Sequence, residues 1–117
     1  MAELGDSYKS RVKLLLLDVT SDSSVETAAA KVKADYGQIY GVVNNAGGMC
    51  DGVGQTFNLN TYGVRRVCEA FVSLIQDQGK IVQISSAAGP MFVAKCNDSM
   101  KEFCVNPEVT LGLGVGD

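Results

Sequence analysis

The sequence predicts an α/β fold of three layers, a partial parallel sheet of about three strands with helices on its faces. Short apolar runs alternate with amphipathic stretches in the order strand, helix, strand, helix, strand, and such alternation implies right-handed parallel crossovers. The central run, Ile39-Tyr40-Gly41-Val42-Val43, is a short apolar segment without polar alternation, the pattern of a strand buried on both faces. It stops at Asn44-Asn45-Ala46-Gly47-Gly48, small and amide side chains at the edge of an open α/β sheet where ligands bind. On chemistry alone that stop is either a cofactor shelf or a loop whose amides tie two strands together.

The first strand is expected over Arg11 to Asp18, which begins with alternation and becomes continuously apolar at Leu14 to Leu17. A turn-rich cluster, Asp18-Val19-Thr20-Ser21-Asp22, ends it. Ser23 and Glu26 have capping-box spacing, so a helix is expected over 23–36 with Val25, Ala28, Ala29, Val32 and Tyr36 on one stripe. Gly37 stands where a helix commonly ends in a residue of positive φ. Beyond the central strand, Met49 to Gly54 reads as a pliable loop. The longest helix is expected from about Gln55 to Gln78, with Val64, Val67, Cys68, Phe71, Val72 and Ile75 on its apolar stripe. Gly79 would end it, and Lys80 to Ser86, rich in β-branched residues, is the third strand. Ala87-Ala88-Gly89-Pro90 stops that strand, a short helix is expected within Met91 to Phe103, and Leu111 to Asp117 alternates Gly with apolar residues as a loose tail. Met1 to Ser10 reads as a plain tail or a frayed helix end.

Size and composition bound the function. A chain of 117 residues makes one small domain at most, burying about two thirds of its unfolded surface. Hydrophobic residues at 46% and charged ones at 20% are globular values. A formal charge of −3, with 10 scattered basic residues, lacks the basic footprint of a nucleic-acid binder. Leu14 to Leu17 is far too short for a membrane span, and the expectation is a soluble cytoplasmic protein. Four cysteines at unpatterned spacing and no histidine argue against an ordinary zinc site and against Ser-His or Cys-His catalysis.

Four motifs then stand in one order: Leu17-Asp18-Val19-Thr20, Asn44-Asn45-Ala46-Gly47, Asn60-Thr61-Tyr62-Gly63, and Ile81-Val82-Gln83-Ile84-Ser85-Ser86 before Ala87-Ala88-Gly89. Over roughly Arg11 to Thr110 the chain resembles the short-chain dehydrogenase/reductase superfamily. Val64-Arg65-Arg66-Val67-Cys68 and the insertion-like stretch from Lys95 resemble its carbonyl reductase branch. The resemblance implies a Rossmann-like NAD(P)-binding domain over 1–110, with NADPH favoured over NAD, and a small-molecule carbonyl substrate. By resemblance, Asp18 and Val19 lie at the adenine edge, and Asn45, Ala46 and Gly47 lie along the ribose and the middle of the cofactor. Asn60 resembles the catalytic Asn that holds a water in a proton relay, and Ser86 the catalytic Ser that hydrogen-bonds the substrate carbonyl. Each has a plain structural reading beside it: a strand-ending Asp, a helix-start Asn, a strand-end hydroxyl.

Three departures accompany these matches. The family's phosphate-binding glycine-rich turn should precede Arg11, and Met1 to Ser10 has none. A Tyr with Lys four residues on, the family's general acid, is also missing, since Val12, Tyr40, Asn44 and Arg66 follow the four tyrosines at that spacing. The loop between Gly47 and Asn60 is short for the branch. The expectation is therefore the middle of an enzyme, inactive alone, with a non-catalytic α/β module that acts by binding as the competing reading. In the doubly wound strand order 3-2-1-4-5-6, the three strands would be numbers three, four and five. The Leu14 to Leu17 strand must then pair with Val42 and Val43 or expose an apolar edge that invites self-association.

Overall fold

The computed structural model of the chain describes residues 11–106. The chain divides into two compact units, Met1–Ile84 and Ser85–Asp117. In the first, an Asx-type turn comes before any helix: Asp18 Oδ1 accepts from Thr20 N at 2.8 Å and from Thr20 Oγ1 at 2.7 Å, and Ser21 N donates to Asp18 O. Helix α1, Asp22–Tyr36, follows. Its cap is Ser21, in extended conformation, whose Oγ accepts from Ser24 N at 3.3 Å. The Ser23–Glu26 capping box is not formed, because the Asp18 turn already brings the chain into position at Ser21 and leaves Ser23 inside the first turn. Val25, Ala28 and Ala29 are buried as expected, Val32 partly so. Tyr36 departs from that stripe and is exposed, its ring lying 5.2 Å from Lys13 Nζ. Gly37 ends the helix at φ 72, its N–H donating to Lys33 O at 2.8 Å.

Strand β1, Ile39–Asn44, pairs in parallel with β2, Ile75–Gln83. The parallel alternation read from the sequence is thus present, in a sheet of two strands among the described residues. Arg11 to Asp18 is the correction: no ladder is formed there, and Leu14 and Leu16 are 88% and 94% exposed. An apolar run becomes a strand only when a neighbouring backbone completes its hydrogen bonds. Neither alternative foreseen for a strand here, pairing with Val42 and Val43 or an unpaired sheet edge, is found, because the segment is not a strand; its leucines are exposed instead. β1 is likewise covered on one face only. Ile39 and Val42 join the core, whereas Tyr40 and Val43 are exposed.

The long helix is built in four pieces: α2 (Val53–Phe57), a π-helical turn (Asn58–Tyr62), α3 (Gly63–Phe71) and a 3₁₀ turn (Val72–Leu74). It ends at Leu74 rather than Gln78, because Leu74 is buried in the core and Ile75 turns extended to pair with Ile39. Gly79 is therefore not a helix terminator. It lies in an irregularity of β2, after Gln78 at φ 62, where an added Cβ would run into Ile75 and the Tyr40 carbonyl. Val72, expected on the buried stripe, is exposed in the 3₁₀ turn, since the tighter winding brings Leu74 inward instead. The core consists of Val25, Ala28 and Ala29 from α1, Val67 and Phe71 from α3, and Leu74.

The second unit holds two short helices, α4 (Ala88–Lys95) and α5 (Asp98–Val105), where one was expected. Pro90 does not prevent the first, because a proline in the first helical turn costs no intrahelical hydrogen bond. Asn97 separates them by capping α5, its Oδ1 accepting from Met100 N at 2.9 Å. The expectations for Met1 to Ser10 and for the Leu111 to Asp117 tail fall outside the described residues.

Candidate functional site

The carboxyl end of β1 joins three of the predicted motifs within the first unit. Asn44, 8% exposed, donates from Nδ2 to Cys68 Sγ at 3.3 Å, and Gln83 Nε2 donates to the same sulfur at 3.2 Å. One α3 thiol thus ties the ends of both strands together. For the first amide of the pair, the tying role is the one observed. Asn45, Ala46 and Gly47 follow as exposed backbone at the strand end, where small residues leave main-chain groups open to a ligand.

Asn60 reaches this loop from the π-helical turn. Gly48 N–H donates to Asn60 Oδ1 at 2.9 Å, and Asn60 Nδ2 donates back to Gly48 O at 2.7 Å. This reciprocal pair fixes the amide's orientation and anchors the loop. Gly47 is beside it: a Cβ there would lie 2.9 Å from Asn60 Oδ1, so the small residue is needed for the close approach. π-turns carry one residue more than an α-helix allows and occur frequently at functional sites. The helix-start reading of Asn60 is not what is found, since Asn60 sits within the continuous helical run from Val53 to Leu74.

Asp18 and Val19 lie between segment 12–17 and α1. The Asp18 carboxyl is held below its ordinary value of 3.8, first by the hydrogen bond from the Thr20 side chain and then by that from the Thr20 backbone, with Arg66 adding a smaller attraction. Asp18 is exposed and is an acceptor at neutral pH. Val19 packs on α3 at the buried Gly63, where a Cβ would come within 2.9 Å of Val19 Cγ2 and 3.1 Å of Val19 O. Between Val19 and the β1 end runs a cleft of about 350 Å³, its walls including Leu17, Val32, Ile39, Val42, Asn45 and Ala46. Such a volume lies in the range of small-molecule sites.

The cleft has mostly apolar walls and takes in Asn45 and Ala46, while Asp18, Gly47 and Asn60 lie outside its lining. Ser86 belongs to the second unit. It is exposed, directly after the β2 segment in sequence, and its Oγ accepts from Ala88 N at 3.1 Å. That bond holds the oxygen and leaves the hydroxyl proton available for donation.

Residues 1–97 match the family model for short chain dehydrogenase. The chain belongs to that family. A short-chain dehydrogenase from Streptomyces avermitilis superposes with a TM-score of 0.63 at 29% identity, over 72% of this chain and 35% of that one. An aldohexose dehydrogenase from Thermoplasma acidophilum gives a TM-score of 0.60 at 22% identity, over 74% of this chain and 38% of that one, a likeness of fold. In sequence the chain is 38% identical over 96 residues to the 3beta-hydroxysteroid dehydrogenase dhs-16 of Caenorhabditis elegans, covering 69% of this chain and 25% of that protein. It thus spans a quarter of the length of that relative and about a third of the solved short-chain dehydrogenases. As short-chain dehydrogenases are NAD(P)-binding oxidoreductases of small molecules with a Rossmann fold, the parallel α/β architecture belongs to that class. Among the described residues no helix is long and apolar enough to cross a membrane.

Sequence reasoning did not find Cys68 or Arg66 as organising residues. Beyond the stripe and the Val64–Cys68 resemblance already noted, the available signal was spacing for Arg66 alone, which lies eight residues beyond Asn58, about two turns along one helical run.

Proposed function

We propose that the chain is part of an NADPH-dependent, cytoplasmic carbonyl-reducing oxidoreductase that acts on a ketone, aldehyde or quinone. The observation that supports this most is the reciprocal Asn60–Gly48 hydrogen bond, which ties the Asn60 motif to the residue directly after the Asn44–Gly47 motif. When bound, the nicotinamide cofactor would supply the hydride. Asp18 and Val19 would meet its adenine, with the Asp18 carboxylate accepting from the exocyclic amine, and Asn45, Ala46 and Gly47 would line the ribose and the middle of the molecule. Asn60 would orient a water for proton delivery, and Ser86 would donate to the carbonyl oxygen as it gains negative charge. The relatives' names favour hydroxyl–carbonyl couples, among them a 3-ketodihydrosphingosine reductase and a neomenthol dehydrogenase.

NADPH titration, followed by nicotinamide fluorescence and turnover of a small quinone, tests this. Saturable binding is expected in a chain extended to the length of its relatives, and Asp18→Ala should weaken it with little effect on the chemical step. Binding through this carboxylate should hold through neutral pH. Because its pKa in the folded chain is depressed, the carboxyl stays ionised well into the acid range, and its contribution to binding is lost only as pH falls through that lowered value. Equal binding by the two proteins would remove Asp18 from the adenine end, and no binding at all would overturn the whole reading.

A second reading has its own observation, the open apolar segment at Val12 and Leu14 to Leu17. On that reading the chain is a non-catalytic α/β module that associates with its own copies through that exposed segment. Purified 117-residue chain is expected to bind a hydrophobic dye and to elute as oligomers. A sharp monomer peak with a cooperative melt well above about 50 °C, within the usual mesophilic range, would defeat it.

A further inference from the structure

Arg66 lies on α3, its side chain 24% exposed, and reaches away from its own helix in two directions. Its Nε donates to Asp22 Oδ1 at the start of α1, and its Nη1 donates to Asn58 Oδ1 at 2.9 Å. Asn58 is the first residue of the π-turn, and its own carbonyl accepts from Gly63 N, the bond that closes that turn. A guanidinium holds its donors in a rigid plane, so engaging both acceptors at once fixes the distance between them. The α1 terminus is a firm anchor, set by the Ser21 cap and by the burial of Val25 one turn on.

A π-turn is a strained insertion, and its relaxation to α geometry would rotate the residues before Gly63 by about 100°, one α-helical step. Asn60 would then no longer face Gly48. We infer that Arg66 is a positioning residue: braced on Asp22, it holds Asn58 and so keeps the π-turn in the register that aims Asn60 at the Gly48 backbone. The consequence for turnover rests on the proposed relay role of Asn60, whereas the bracing itself does not.

Amide hydrogen exchange in the nucleotide-free chain tests it, with Gly48 compared against the amides of the β1–β2 ladder. Asn60→Ala sets the scale for complete loss of the Gly48 bond. Asn58→Ala removes one acceptor and leaves the Arg66–Asp22 pair, while R66K keeps a cation near Asp22 but cannot present two donors from one plane. Each is expected to lower Gly48 protection at least tenfold relative to the ladder. Unchanged Gly48 protection in both variants would overturn the inference, as would a loss shared equally by Gly48 and the ladder, which is general destabilisation. Since no nucleotide is present, a failure here is distinct from a failure to bind NADPH, which counts against the proposed function instead.

Discussion

Ser86→Ala, in a chain extended to the length of its relatives, is expected to lower carbonyl reduction at least tenfold while cofactor affinity stays nearly unchanged. The hydroxyl oxygen is held by the Ala88 amide, and its proton remains available for donation to a second acceptor. A donor aimed at developing negative charge contributes mainly in the transition state, and losing one costs about 2.7–4 kcal/mol of barrier, roughly 10²–10³ in rate. The same substitution also removes an acceptor from the first turn of α4, a loss of about 0.5–2 kcal/mol by analogy with helix caps. Circular dichroism should therefore accompany the kinetics. Ser85→Ala is the control, expected to leave the rate close to the parent. An unchanged rate in Ser86→Ala would move the role to Ser85 or remove it.

Gly41→Ala is expected to lower the urea midpoint of the first unit by the equivalent of about 3 kcal/mol. Gly41 stands opposite Lys80 in the parallel ladder, and an added Cβ would run into the Lys80 carbonyl oxygen, with Lys80 C at 3.3 Å and N at 3.4 Å behind it. All three are backbone atoms of the paired strand, so no side-chain rotation relieves the conflict. Overpacking typically costs about 1–3 kcal/mol, occasionally more, and a conflict with a ladder carbonyl belongs at the upper end. Natural domains have about 5–15 kcal/mol in total, and among the described residues this unit has two paired strands and a core of six buried apolar residues. Urea unfolding followed by circular dichroism measures the effect. Gly52→Ala serves as the neutral comparison, because nothing lies within 4 Å of a Cβ there and its φ is negative. Equal midpoints for the two variants would show that the ladder opens at Gly41 without cost.

Signals carried by one residue and its immediate neighbours were legible in the sequence. Gly37 announced its positive φ, Val25 with Ala28 and Ala29 announced the buried face of α1, and the β-branched runs at Val42 and Ile81 announced the parallel pair. Features decided by competition between neighbours were not. Ser21 and Ser23 are both good caps, and the Asp18 turn selects Ser21. The end of the long helix depends on whether Ile75 continues the helix or pairs with Ile39, a partner 36 positions away. Leu14 to Leu17 had the composition of a strand, but strand character is a property of two backbones. In the candidate site, the motif residues Asn60 and Gly47 were found by resemblance and meet in space. Arg66 and Cys68 were noticed only as part of a resemblance and of an apolar stripe, because their hydrogen-bonding roles depend on partners distant in sequence, Asp22 for the arginine and Asn44 and Gln83 for the cysteine.

The way Asn60 grips its loop gives adjacent glycines opposite tolerance to mutation. Both hydrogen bonds go to the Gly48 main chain, which every amino acid except proline supplies in full, and a Cβ at Gly48 would meet only Leu59 Cδ2 at 3.9 Å. Position 48 can therefore drift in sequence with the grip intact. Position 47 cannot, because its Cβ would press on the very oxygen that accepts from Gly48. In a library saturated at both positions, position 48 should accept most residues other than proline and position 47 far fewer.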